Sequence, residues 1–162
     1  MKKLLIISLM VLAIALAACG SNNEEAGVPE TPPESTNPDN NNNQTTQTMK
    51  ITIGNKTYTA TMEDNVAAKD LLSRLPLEIT LEDFHNTTEK IFYPDPALNT
   101  EGVHGGCTPV PGDITIYAPW KNVAIFCKSW SPSNDLIKIG HIDGNGIEAL
   151  QVAGNIKVKL EK

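Results

Sequence analysis

Residues 50–61 have the sequence Lys-Ile-Thr-Ile-Gly-Asn-Lys-Thr-Tyr-Thr-Ala-Thr, and this stretch gives the first strong indication of the fold. Apolar and polar residues alternate on both sides of Gly54-Asn55, which is typical of strands with one buried face. A Gly-Asn pair between two such runs is typical of a hairpin turn. The sequence therefore predicts that a folded domain begins at Met49 with a β-hairpin.

The chain after this hairpin continues as short apolar segments separated by turn residues. Asp64 is expected to cap a helix that passes through Leu72 and stops at Pro76, and a second helical turn is expected near 147–152. Six further strands are predicted at residues 77–81, 90–93, 113–117, 123–127, 136–142 and 155–160, with a long loop at 94–112. About eight strands without a βαβ rhythm predict a mainly β domain over residues 49–162. A closed or nearly closed barrel would protect the edges of so many short strands.

The chain before residue 49 has a different character. Residues 1–18 combine Lys2-Lys3 with an apolar run that is short for a bilayer span, as in a secretory signal peptide. Cys19 follows Leu16-Ala17-Ala18, an arrangement that resembles the lipobox of bacterial lipoproteins. The resemblance implies that Cys19 carries a diacylglycerol group and becomes the mature amino terminus, anchored to the extracytoplasmic face of the cell membrane. The alternative is a secreted protein in which Cys19 has no special role.

Residues 19–48 are expected to form the lipidated terminus and a disordered polar linker. They contain four prolines, the asparagine run 40–43 and almost no large apolar side chain, so they cannot bury enough surface to fold. The formal net charge of the chain is −6, with Arg74 as the single arginine. An acidic chain without a basic patch argues against nucleic-acid binding and against electrostatic attachment to an anionic membrane. Lipid on Cys19 is therefore the expected membrane contact.

Residues 49–162 resemble the small bacterial cyclophilin-like domains. The matching pieces are the opening hairpin and the segments at 71–77, 89–93, 112–117, 123–126 and 139–142, which occur in the same order and spacing over nearly the whole domain. The resemblance implies a β-barrel with a helix at its mouth, and it implies no known activity for members of this short type.

True cyclophilins are prolyl isomerases, and the resemblance allows a comparison with their catalytic pattern. That pattern has a strand arginine beside a Phe-His pair, together with a glutamine segment. Here Phe84-His85 is followed by Asn86, and the single arginine is Arg74 at the end of the predicted helix. The group that would polarise the prolyl amide is therefore expected to be absent, and catalysis is not predicted.

The candidate ligand surface consists of aromatic and charged residues expected near the barrel mouth. Trp120 and Trp130 lie in predicted loops and could stack on a ligand, or both could plug the barrel ends as core. Arg74 and Glu89 could pair close to this mouth, and such a pair would be a surface salt bridge rather than catalytic machinery. The full candidate set is Arg74, Phe84, His85, Glu89, Tyr93, Trp120 and Trp130.

The remaining reactive residues allow two interpretations. Cys107 and Cys127 are the two thiols left after Cys19, and outside the cytoplasm they could form a disulfide that pins the 94–112 loop. The alternative is two free thiols that pack as small hydrophobic groups. His104 and Cys107 lack further ligands at zinc spacing, so no metal is expected. The chain also contains no phosphate loop or dinucleotide fingerprint, so no cofactor is expected.

Two functional hypotheses follow from the sequence. The preferred one is a non-catalytic module that binds a peptide, a protein or a small molecule. The other is an extracytoplasmic prolyl isomerase that uses Arg74, which requires Arg74 to point into an apolar groove beside Phe84, Phe92 or Phe126.

Overall fold

The computed structural model describes residues 46–162, which form one β domain. Its strands are β1 (Gln47–Ile53), β2 (Lys56–Met62), β3 (Leu77–Phe84), β4 (Glu89–Phe92), β5 (Asp113–Tyr117), β6 (Asn122–Phe126), β7 (Leu136–Ile142) and β8 (Ile156–Glu161). The helix α1 (Val66–Ser73) follows β2, and a short 3-10 helix (Gly146–Ala149) precedes β8. Every predicted strand is present. β1 begins two residues before the predicted start at Met49, and β3 runs three residues beyond the predicted end at Leu81.

The eight strands form a closed antiparallel barrel in the order β1-β2-β7-β5-β6-β4-β3-β8. Closure pairs each strand with a neighbour on both sides, so the barrel wall has no free strand edge that could recruit another chain. The predicted class, a mainly β closed barrel with one or two short helices, is confirmed.

The barrel interior is filled by one face of every strand. Because side chains alternate between the two faces of a strand, Ile51, Leu81 and Ile125 point inward with their equivalents on the other strands. They form a single hydrophobic core in which Ile51 and Leu81 are completely buried. The interior is therefore a packed core and not a ligand cavity.

Helix α1 contributes its apolar face to this core. Ala67, Ala68, Leu71 and Leu72 are buried and belong to the same hydrophobic cluster as the inward strand residues. Asn65 is the N-cap of the helix, and its side-chain oxygen accepts a hydrogen bond from the backbone N–H of Ala68 at 2.9 Å. The prediction of Asp64 as the cap was wrong by one residue. Both residue types make good caps, so the sequence alone did not distinguish them.

A second, smaller hydrophobic cluster lies on the outer face of the barrel wall. It contains Ile91, Ala124, Phe126 and Leu136, with Tyr117 packed against it. These residues alternate with inward-facing ones such as Val123 and Ile125 in the main core. Strands β4, β5 and β6 are thus buried on both faces, and loops must cover their outer side.

Lys90 in β4 is a completely buried lysine at one end of the barrel. Its ammonium group donates to Asp83 Oδ1 at 3.0 Å and to the carbonyl oxygens of Val152 and Gly154 at 2.6 and 2.7 Å. Three acceptors for three donor hydrogens satisfy the buried charge. Lys90 therefore ties β4 to β3 and to the loop before β8.

The predicted signal peptide, Cys19 and most of the predicted linker lie outside the described residues. Within residues 46–162, no helix is long and apolar enough to cross a bilayer.

Candidate functional site

A pocket of about 370 Å³ lies over the outer hydrophobic cluster. Its volume is near the lower end of the range for ligand sites, which suits a small molecule or one or two side chains of a peptide. Its lining is mainly aromatic, with a few polar groups, and consists of Phe84, His85, Glu89, Tyr117, Trp120, Asn122, Phe126, Trp130, Ser133, Asp135 and Leu136. The site was expected at the barrel mouth. It lies instead on the outer wall, and the barrel interior is filled by core side chains.

Five aromatic rings form a continuous arc around the pocket. Neighbouring rings along the arc form the pairs Tyr117–Trp120, Trp120–Phe84, Phe84–His85 and His85–Trp130, with ring-centroid distances of 5.4, 5.8, 6.1 and 5.2 Å. All four pairs are edge-on, the arrangement that ring quadrupoles favour. Trp120 and Trp130 are nevertheless 51% and 43% exposed. They do not plug the barrel ends, and the alternative in which both serve as core is wrong.

The turn between β3 and β4 holds His85 in place. His85, Asn86 and Thr87 all have left-handed backbone angles, with φ values of 52°, 57° and 57°. Consecutive left-handed residues that are not glycine are energetically unfavourable, most of all for a β-branched threonine. The turn is held by the Thr87 hydroxyl, which donates to Asp83 at 3.1 Å, and by Lys128, which donates to the carbonyl of Asn86 at 2.6 Å. Strained backbone conformations that the surrounding structure holds in place are common at sites where a side chain is presented to a ligand.

Trp130 and Ser133 come from the loop between β6 and β7. Backbone hydrogen bonds attach this loop to the 105–109 segment: Trp130 N–H donates to Pro109, and Ser133 and Cys107 donate to each other's carbonyl groups. A Cβ atom on Gly105 would lie 2.1 Å from the carbonyl oxygen of Asn134. Gly105 is therefore required for the close approach of the two loops, which explains a glycine in the His104-Gly105-Gly106-Cys107 segment without any metal.

The polar groups of the pocket include two carboxylates and a buried amide oxygen. Glu89 is partly buried beneath the aromatic arc, and burial raises the pKa of its carboxyl group, while nearby His85 lowers it by a smaller amount. Asn122 is 1% exposed, and its Oδ1 is the buried side-chain oxygen that finds no hydrogen-bond partner among residues 46–162. No lysine or arginine is present among the lining residues of this described pocket.

The structure brings together five of the seven residues proposed from the sequence: Phe84, His85, Glu89, Trp120 and Trp130 all line the pocket. The two others do not belong to it. Tyr93 is 54% exposed just beyond the end of β4, away from the lining, and Arg74 is held elsewhere.

Arg74 is fixed by the helix that precedes it and by the 94–112 loop. Its guanidinium group makes two hydrogen bonds to the carboxylate of Asp70, at 3.0 and 2.8 Å, and donates to the carbonyl groups of Pro96 and Ala97. Its hydrogen bond is the largest influence on Asp70 and lowers the pKa of that carboxyl group. The expected pair with Glu89 is therefore wrong, because an acidic residue one helical turn earlier is the nearer partner.

Six lining residues were not proposed from the sequence. Ser133, Asp135 and Leu136 lie in the β6–β7 loop or at the start of β7. The other three are Tyr117, Asn122 and Phe126. All three are outward-facing positions at strand ends, one position out of phase with the core residues. The sequence did contain a signal, because β6 is apolar at the outward positions Ala124 and Phe126 as well as at the inward positions Val123 and Ile125. A strand apolar on both faces indicates that something covers its outer side.

Cys107 and Cys127 are free thiols in the structure. Cys127 packs in the barrel core and its Sγ lies 3.5 Å from the carbonyl oxygen of Leu150, whereas Cys107 packs against the outer cluster. The expected disulfide is not formed, because the side chains lie in separate clusters. Burial raises the pKa of the Cys127 thiol to about 11, which keeps it protonated and unreactive. Residues 46–162 also contain no group of three or more His, Cys, Asp or Glu side chains placed to hold a metal ion.

The fold and the site thus define the class of protein: a small closed β-barrel with a solvent-exposed aromatic pocket on its outer wall. The model of the cyclophilin-like family matches residues 51–161, and the chain belongs to that family. The fold is also that of a hypothetical protein from Archaeoglobus fulgidus known from a solution structure. The TM-score is 0.55 at 19% identity, with 72% of this chain and 94% of that chain covered. No curated protein matches the chain.

Proposed function

We propose that this chain is a lipid-anchored extracytoplasmic protein whose cyclophilin-like domain binds a ligand in the aromatic pocket without catalysing prolyl isomerisation. The observation that carries the proposal is the exposure of Trp120 and Trp130, at 51% and 43%, over a concave site. Large aromatic side chains are rarely left exposed together around a cavity without a ligand or partner.

The position of Arg74 argues against the alternative, a prolyl isomerase. That hypothesis required Arg74 to face an apolar groove beside Phe84, Phe92 or Phe126. Its guanidinium group is occupied by Asp70 and by two loop carbonyl groups, and Arg74 is not among the residues that line the pocket. An apolar groove without an electrophile binds the ground state and the twisted transition state about equally, so it does not accelerate the exchange.

Membrane attachment rests on the sequence around Cys19. The short apolar run, the small residues Ala17-Ala18 and the cysteine directly after them fit lipid transfer to a thiol outside the cytoplasm. Two acyl chains give stable anchoring where one gives only reversible binding. The polar residues between Cys19 and β1 would then space the barrel from the bilayer.

Tryptophan fluorescence tests the binding function without a label. The chain has two tryptophans and both line the pocket, so its entire tryptophan emission reports on this site. We expect a saturable change in emission with at least one of four probes: a proline-containing tetrapeptide, n-butylamine, n-butanol or butyrate. Trp120→Phe and Trp130→Phe should each remove part of the response. Emission that none of the four changes would contradict ligand binding at the pocket.

Mass spectrometry of the membrane fraction tests the anchor. We expect the chain to begin at Cys19 with added diacylglycerol mass, and the Cys19→Ser variant to be released from the membrane. Replacement of a thiol in the folded domain, Cys107→Ser, should leave the protein membrane-bound. A native chain that carries no lipid on Cys19 would overturn this part of the proposal.

A further inference from the structure

Asn122 presents an oxygen that lacks a hydrogen-bond donor. Its Oδ1 is buried, it has no partner among residues 46–162, and its side chain lines the pocket. Buried acceptors in folded proteins are almost always paired, and an unpaired one is unfavourable. Because Oδ1 itself has almost no accessible surface, a ligand N–H or O–H reaches this atom as the Asn122 side chain turns toward the pocket.

Glu89 adds a negative charge to the same pocket. Within the described chain it forms no salt bridge, and no lysine or arginine lines the cavity. Its neighbours Phe84 and Phe126, opposite it on β3 and β6, are apolar. A partly buried carboxylate in such surroundings is stabilised most by a cation that also donates hydrogen bonds. Asp135 at the pocket lining contributes a second acidic residue.

The walls of the pocket are equally suited to a cation. Tyr117, Trp120, Phe84 and Trp130 supply aromatic rings whose faces carry negative partial charge, and Trp is the strongest such ring. The same rings provide apolar area for an alkyl stem. An anion would meet the carboxylates of Glu89 and Asp135, against which His85 is the one group of this described pocket able to carry a positive charge, and would be disfavoured.

We propose that the pocket selects a ligand with a primary ammonium group on an apolar stem, with the ammonium group between Glu89 and Asn122 Oδ1 and the stem against the aromatic arc. This inference rests on the proposed binding function and specifies its ligand class. The chemistry is that of a lysine side chain or of a free alkylamine.

A matched pair of probes tests the inference on the full chain in detergent. N-acetyl-lysine amide and N-acetyl-norleucine amide have similar stems, and only lysine carries the ammonium group. We expect tryptophan fluorescence to give an affinity for the lysine probe about tenfold higher than for the norleucine probe. Glu89→Gln should abolish this preference, whereas Glu82→Gln, an exposed carboxylate on β3 outside the pocket, should preserve it.

The outcomes separate this inference from the proposed function. Equal affinity for the two probes, or binding of butyrate in preference to both, overturns the ammonium inference and leaves a functional pocket. Absence of any response to every probe overturns both. If Glu89→Gln fails to fold, Asn122→Leu tests the same preference through the other acceptor, and an unchanged preference contradicts the inference.

A third probe identifies the source of the ammonium group. If n-butylamine binds as tightly as N-acetyl-lysine amide, a free amine is sufficient and a small molecule is the ligand. If a lysine-containing peptide binds more tightly than either, the ligand is a lysine side chain of a polypeptide. Both results support the inference.

Discussion

Asn122 is expected to lower the stability of the fold and to promote ligand binding. This combination is typical of a residue that contacts a ligand. Its unpaired Oδ1 is buried at the start of β6, where an apolar side chain of similar size would meet no such penalty. Functional residues commonly retain this kind of local cost.

We therefore predict that Asn122→Leu stabilises the protein by about 1–3 kcal/mol, because it removes an unsatisfied acceptor. The same substitution should weaken the binding of N-acetyl-lysine amide. Chemical denaturation and fluorescence titration measure the two effects. Thr115→Val is the matched control: the Thr115 hydroxyl is equally buried but donates to the carbonyl of Ala124 at 3.3 Å, so its removal should not stabilise. Destabilisation by Asn122→Leu would show that the amide has a structural role.

Asp113 is a second buried polar residue, and its groups are satisfied. Its carboxylate accepts hydrogen bonds from Lys138 and His141, both at 2.8 Å, and from the Val110 backbone N–H at 3.0 Å. Burial alone would raise the pKa of Asp113, but the hydrogen bonds from Lys138, Val110 and His141 outweigh it and hold the pKa below its usual value of 3.8.

A lowered pKa in the folded state fixes the direction of the pH dependence. The carboxylate stabilises the fold fully above pH 3.8, and this stabilisation is lost as the pH falls through the lower folded-state pKa. We predict that Asp113→Asn is less stable than the native chain at pH 7 by about 1–3 kcal/mol, because its partners Lys138 and His141 are partly exposed and stay hydrated. The difference should narrow as the pH falls below about 4. Denaturation curves at pH 7, 5 and 3 test this, and a constant difference would contradict it.

At the scale of the elements, β4 carries both Glu89 of the pocket and the buried Lys90. Glu89 and Ile91 face outward to the pocket and the outer cluster, while Lys90 and Phe92 face inward. The strained β3–β4 turn places His85 next to Glu89, and the ammonium group of Lys90 fixes the same strand from inside the barrel.

We predict that Lys90→Met destabilises the protein by about 3–5 kcal/mol, because the carbonyl groups of Val152 and Gly154 lose their buried donor. Asp83 would keep its hydrogen bonds from Thr87 and the Gly154 N–H. The exposed Lys56→Met on β2 should change stability by less than about 0.5 kcal/mol. Thermal and chemical denaturation of the two variants compare them, and equal effects would show that the buried hydrogen bonds contribute little.

At the scale of the whole molecule, the barrel was predictable and its outer surface was only partly so. Period-two alternation and turn residues such as Gly54-Asn55 are local, so they located all eight strands and the closure that protects them. Of the five pocket residues proposed from the sequence, Phe84, His85 and Glu89 lie in one short segment around the β3–β4 turn. Trp120 and Trp130 lie in the loops on either side of β6. The pair of Arg74 with Asp70 follows the i,i+4 spacing of a helix, so this part of its placement was readable from the sequence and was overlooked. Its hydrogen bonds to Pro96 and Ala97 depend on the packing of α1 against a long loop, which no local pattern encodes.

The location of the pocket also required the tertiary structure. Sequence reasoning assigned the aromatic residues to the barrel mouth, since a barrel suggests an interior site. The interior is instead closed by residues such as Ile51 and Leu81, and the site is created where the β6–β7 loop covers the outer wall. The contact of Gly105 with Asn134 that allows this covering joins residues 29 positions apart and leaves no trace in local periodicity.

The most direct test of the account is one NMR sample of the full chain with a short peptide that contains both lysine and proline. Exchange spectroscopy measures the cis/trans rate of the peptide, and the indole signals of Trp120 and Trp130 report on the pocket. The account predicts that both indole signals shift as peptide is added while the prolyl exchange rate stays at its uncatalysed value. Accelerated exchange that is lost in Arg74→Ala would contradict it and would identify the domain as a prolyl isomerase.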